Sequence, residues 1–240
     1  MIDRKAFERL HSRPLFWFVV TTIASCLLVY VQFTTVERRN VAQTELFALL
    51  DNIFAGILVS FVFYYLVVHL PEKQRCSRMR ESTLQYYLSI KEALIWQIVF
   101  ASRKAGRDDL DTRQSQIDEL MDVKAFKTKF SGGKQGNEGW YAFLNHMSQD
   151  SPEFREIMLN FTQLRVQIEY LLTQDVFQDN ELLEFFVRLR RHLLRLERTE
   201  ADDWEKKSLA SFLYEIFAGW DMITGYRDFD IIQDRIRKIG

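Results

Sequence analysis

Helix breakers are scarce in this 240-residue chain, with three prolines and nine glycines. A turn-rich β fold needs more of both, so long helices are the expected architecture. Cysteine is scarce too. Cys26 lies in an apolar run and Cys76 in a basic one, a spacing that makes neither a disulfide framework nor a metal knuckle. Four histidines, His11, His69, His146 and His192, are scattered along the chain. They form no H-E-x-x-H and no H-x-E with C-x-x-C, so no metal site is expected. A G-x-S-x-G elbow is missing. The one Gly-rich stretch, "SGGKQGNEG" (Ser131–Gly139), is no Walker loop, because Gln135 follows Lys134 where Ser or Thr is required. These gaps remove the usual hydrolytic and nucleophilic constellations. The chain is expected not to be an enzyme, and no cofactor is implied. Charge of one sign is also lacking: 32 Lys and Arg against 33 Asp and Glu leave a net −1.

Bulky apolar residues are plentiful, with 20 phenylalanines, and they are unevenly placed. Pro14–Phe33, "PLFWFVVTTIASCLLVYVQF", holds no charge, and in Asn52–Pro71 only His69 could carry charge near neutral pH. About twenty helical residues at about 1.5 Å each match a hydrocarbon core of about 30 Å. Two transmembrane helices, 14–33 and 52–71, are the expectation. Arg4, Lys5, Arg9 and Arg13 precede the first run, and Lys73, Arg75, Arg78 and Arg80 follow the second. Only Arg38 and Arg39 lie between. Lys and Arg are retained on the cytoplasmic side, which places both termini there and leaves 34–51 as a short outer loop. The protein is then a multi-pass protein of the inner membrane. "IASC" resembles a lipoprotein cleavage box, but the run continues as "LLVYVQF", where a mature lipoprotein would turn polar.

Residues 72–240 read as amphipathic helices forming a cytoplasmic all-α bundle. Leu84, Tyr87, Leu88, Leu94, Ile95 and Ile98 make one stripe, interrupted by Lys91. A weaker pattern covers about Asp109–Phe130, and 131–139 reads as a flexible loop. "SPEF" starts a helix: Ser151 caps, Pro152 suits the first turn, and Glu153 favours the positive end. Helices over about Asn180–Arg198 and Trp204–Trp220 follow, then a short one after Asp228. No strand alternation stands out. The acids Asp228, Asp230 and Asp234 read as helix-start residues.

Three features are candidate functional elements. In "RLRRHLLRLER", Arg188, Arg191, Arg195 and Arg198 share a helix face opposite the leucines. Arginine's planar fork suits phosphate, so this face is either a site for a nucleotide, oligonucleotide or other polyanion, or a solvated surface supported by a Glu184–Arg188 pair. In the second span, Asn52, Gly56, Ser60 and Tyr64 recur at four-residue steps, as a mildly polar pore lining or as a small-x-x-x-small packing face. Two spans cannot enclose a pore, so conduction requires a homo-oligomer. Pro71 lacks a backbone N–H and disfavours helical geometry at Leu70, so a kink or break is expected where the span meets the basic stretch.

The architecture, with "NIFAGILVSFVFYYLVVHLPEKQR" at its centre, resembles the two-span effectors of bacterial antiphage defence, those associated with retrons and the Hailong-type channel effectors. The resemblance is architectural and carries over no ligand or catalytic motif. It implies an oligomeric membrane effector whose pore answers to a nucleotide-derived or protein signal on the cytoplasmic side. A non-conducting anchor that docks a soluble partner at the inner leaflet is the other reading.

Overall fold

The computed structural model describes residues 14–35, 41–132, 137–147, 151–174, 176–197, 203–221 and 223–240. The described chain is mostly helical and all-α in class. It divides into two compact units, Met1–Gln74 and Arg75–Gly240.

The first unit holds α1 (Pro14–Thr35) and α2 (Val41–Tyr64), which approach one another. Within the expected outer segment 34–51, residues from Val41 onward are helical, and 36–40 lie outside the described residues. "VAQTELFALL" contains no breaker, and nothing in it stops the helix extending backwards from the apolar run. The run Ala48–Lys104 contains a stretch long and apolar enough to cross a membrane, and none of that stretch is buried. Val19–Val31 in α1 is a shorter apolar run.

At Pro71, where a kink or break is expected, the helix does not break. The chain stays helical, through a π-helical turn at Tyr65–His69 and on into α3 (Leu70–Lys104). Leu70 keeps α geometry (φ −65°, ψ −48°), and its N–H reaches back five residues to the carbonyl of Tyr65. In a regular α-helix the ring of Pro71 would clash with the carbonyl of Val67, where it also has no N–H to donate. A wider turn relieves both problems without ending the helix.

The second unit is built on the buried face of α3: Tyr87, Ile90, Leu94, Ile95, Ile98 and Val99. Asp109–Phe130 proves to be two helices, α4 (Gln114–Leu120) and α5 (Val123–Phe130). The Asp122 carboxylate accepts from the N–H groups of Lys124 and Ala125 and restarts the helix. α6 (Gly139–Met147) begins inside the expected 131–139 loop, of which 133–136 lie outside the described residues. Phe126, Phe130, Trp140, Phe143, Tyr214 and Phe217 pack ring against ring where α5 and α6 meet the later helix α9 (Asp203–Phe217).

α7 (Pro152–Leu172) starts as the sequence indicates, with the Ser151 hydroxyl accepting from the N–H of Phe154. It packs on α8 (Asn180–Glu197), with Ile157, Phe161, Leu164 and Ile168 buried on one helix and Leu182, Phe186, Leu189 and Leu193 on the other. α9 (Asp203–Phe217) ends before Trp220, which lies instead in a two-residue hairpin, β1 (Trp220–Asp221) and β2 (Gly225–Tyr226). Gly219 makes this possible. Its φ is +65°, and a Cβ there would stand 2.3 Å from the carbonyl oxygen of Arg227. α10 (Ile231–Arg237) follows, capped by Asp230.

Two substitutions separate the local signal from the core. Ser151→Ala should cost about 1 kcal/mol through the lost cap. Phe161→Ala, which empties a fully buried site, should cost about 3–5 kcal/mol. Denaturant unfolding of the purified chain measures both; equal costs would contradict the packing described.

Candidate functional site

The arginine face is exposed. Arg188, Arg191 and Arg195 point away from the buried leucines of α8, and Arg190 is exposed beside them. Among the described residues no ion pair holds any of the three, and none joins Glu184 to Arg188. At three- and four-residue steps, their Cβ atoms lie about 5–6 Å from neighbour to neighbour. Arg198 lies outside the described residues. His192, on the same helix, turns the other way: its ring is 4.4 Å from that of Phe212, and its Nε2 is buried without a hydrogen-bond partner. Burial, then the charge of Arg195, lowers its pKa. The face thus offers guanidinium donors with no competing carboxylate bound to them.

In α2, Asn52, Gly56, Ser60 and Tyr64 are all exposed. The Ser60 hydroxyl donates to the carbonyl of Gly56 at 2.8 Å, so its polarity is satisfied within the helix. A Cβ on Gly56 would meet nothing within 4 Å. Among the described residues nothing packs against Gly56. Ile53, Val59, Val62 and Phe63 around it are exposed as well.

Three polar clusters in the second unit went unseen in the sequence. In the first, the Lys91 ammonium donates to Asp230 Oδ2 at 2.9 Å and the Tyr87 hydroxyl donates to the same oxygen at 2.7 Å. The Lys91 and Asp230 side chains are 2% and 1% exposed. Asp230 Oδ1 meanwhile accepts from the N–H groups of Ile232 and Gln233. Burial, then the Asp230 charge and hydrogen bond, raises the Tyr87 pKa, so the phenol stays a donor. The only sequence signal was Lys91 interrupting an apolar stripe.

In the second, Glu153 accepts from Lys104 at 2.5 Å and meets His146 Nε2 at 3.1 Å. Burial opposes ionisation, but the bonds from Lys104, His146 and its own N–H win and hold the carboxyl down at about 2. In the third, the Arg107 guanidinium binds Asp109 at 2.7 and 2.6 Å and the carbonyls of Gly139 and Lys129. Its bond holds the Asp109 carboxyl well below the usual range. Among the described residues no group of three or more His, Cys, Asp or Glu is placed to hold a metal ion. These clusters neutralise their own charges and tie elements together.

Comparison with family models, curated proteins and solved structures finds no match for this chain.

Lys91→Met leaves the Asp230 carboxylate buried and uncompensated. It should cost about 3–5 kcal/mol, while Lys91→Met with Asp230→Asn should recover part of that loss. A double-mutant cycle on unfolding midpoints reads the coupling. Glu153 gives a pH test. Its folded pKa is depressed, so its contribution is fully present above the ordinary value of 4.5 and is lost as pH falls through about 2. The stability gap between the parent and Glu153→Gln should close over that window; a gap constant down to pH 2 would contradict the pairing.

Proposed function

We propose that this protein is an oligomeric membrane effector, a channel or pore gated through its cytoplasmic helical bundle, acting in the bacterial antiviral setting that the architectural resemblance implies. The observation that carries the membrane part is the apolar helix after Ala48, no part of whose spanning stretch the chain buries. Two spans, 14–33 and 52–71, follow from the length of the uncharged runs, and both termini cytoplasmic from the charge of the flanks. Conduction then requires several copies, and Asn52, Gly56, Ser60 and Tyr64 are the residues we assign to the lining or to the contact between copies.

The input surface is the arginine face. Arg188, Arg191 and Arg195 are exposed and bound to no carboxylate among the described residues, which supports an anionic ligand, a nucleotide or oligonucleotide, over a purely solvated face. Such a ligand gates only if it binds the open and closed forms with different affinity. The joint is the segment from the π turn to Pro71. π turns inside α-helices occur often at functional sites, and this one stores an irregular hydrogen-bond pattern where the apolar run ends.

The second reading, a non-conducting anchor for a soluble protein, uses the same arginine face for docking. Reconstitution in liposomes with a potassium diffusion potential separates the two. The channel reading expects depolarisation on adding a nucleotide or oligonucleotide mixture, abolished by Arg191→Glu with Arg195→Glu. An intact potential under every addition, with partner capture lost in the same variant, would replace it by the anchor.

A further inference from the structure

The segment Asp230–Gly240 lies along one face of α3, and Asp228 just before it pairs with Lys124 of α5 at 3.2 Å. A Cβ on Gly240 would stand 3.1 Å from the Cβ of Cys76. The Ile239 carbonyl accepts from Arg80 Nη1 at 3.4 Å. Asp230 takes the Tyr87 and Lys91 bonds. Positions 76, 80, 87 and 91 follow helical steps on one side, and they meet 240, 239 and 230 in reverse order. The segment therefore runs antiparallel to α3 over four helical turns, roughly 22 Å at about 1.5 Å per residue. The segment's own Ile232, Ile236 and Ile239 are buried in the hydrophobic core.

The buried faces of α7 and α8 meet through leucine, isoleucine and phenylalanine, whereas polar groups stand beside the isoleucines at this interface. The α3 side offers Arg80, Thr83, Tyr87 and Lys91, all able to hydrogen-bond water. A buried ion pair gains little over its two hydrated halves, because desolvation offsets the attraction. The fit is also incomplete. Thr83 Oγ1, at the helical step between Arg80 and Tyr87, and Arg235 Nε, in α10, are buried with no hydrogen-bond partner. Buried polar atoms left unpaired favour separation, since water would satisfy them.

We propose that Asp230–Gly240 is a releasable strap on the Cys76–Lys91 stretch of α3, locked by the Asp230–Lys91 ion pair and covering Cys76. When it lifts, the face of α3 that follows the membrane segment loses its brace. The use of this release in gating rests on the channel reading; the release itself does not.

The test uses the full chain with Cys26→Ser, so that Cys76 is the single thiol, and measures the rate of maleimide labelling. Cys76 is 8% exposed and should label slowly in the parent. Asp230→Asn keeps the helix cap but removes the charge, and labelling should accelerate by about tenfold or more with helical content unchanged. The charge swap Lys91→Asp with Asp230→Lys should restore part of the protection. Unchanged labelling in Asp230→Asn, or labelling that rises only as the helical signal is lost, would overturn the strap and leave a permanent staple. Depolarisation measured on the same variant separates the two ideas: fast labelling with an unaltered response retains the strap and removes its role in the gate.

Discussion

The apolar helix after Asn52 sets the constraint on which the rest of this structure depends. Ile53, Ile57, Val59, Val62, Phe63 and the run Tyr64–Val68 stand 37–69% exposed. Full burial of such a side chain contributes about 1.5–3 kcal/mol, so the uncovered parts together forgo on the order of 10 kcal/mol. That equals the whole stability of an ordinary domain, which is about 5–15 kcal/mol. Leaving this surface open to water is costly, and that cost is the observation behind the proposed membrane role. Everything after Arg75 must fold as its own unit while joined to that surface.

The second unit meets this demand with two kinds of cohesion. Aromatic and aliphatic packing among α5, α6, α7, α8 and α9 supplies the energy. Polar locks supply position. Asp230 shows the division clearly: one carboxylate oxygen caps α10, and the other holds Lys91 and Tyr87 on α3. An isoleucine in place of Lys91 could fill the space, but only a charge specifies which residue must lie opposite. Arg107 does the same work on the other side, drawing Asp109, Lys129 and Gly139 together around the stacked phenylalanines.

Much of the fold was legible because it is local. Ser151, Pro152 and Glu153 announce α7, and the leucine spacing of α8 separates its buried from its exposed face without any knowledge of partners. The outward arginines follow from that same periodicity. What the sequence concealed is non-local or conformational. Lys91 and Asp230 are 139 positions apart, and nothing near either one names the other. Asp230 reads correctly as a helix-start acid, but a cap uses only one of its oxygens. Pro71 reads as a kink or break, because the π turn that accommodates it depends on backbone hydrogen bonds five residues back rather than on any residue type. Asp109–Phe130 reads as one helix because the Asp122 cap that divides it carries the same letter as any surface acid.

The proposed account stands on the apolar helices lying in the bilayer with Arg75–Gly240 on the cytoplasmic side. Protease treatment of sealed bacterial membranes of both orientations tests this most directly. Inside-out vesicles should lose the 75–240 unit to the protease, while right-side-out vesicles should protect it, and alkaline washing should release none of the chain. Digestion of that unit from the outer face, or release of the chain into the soluble fraction, would contradict the account.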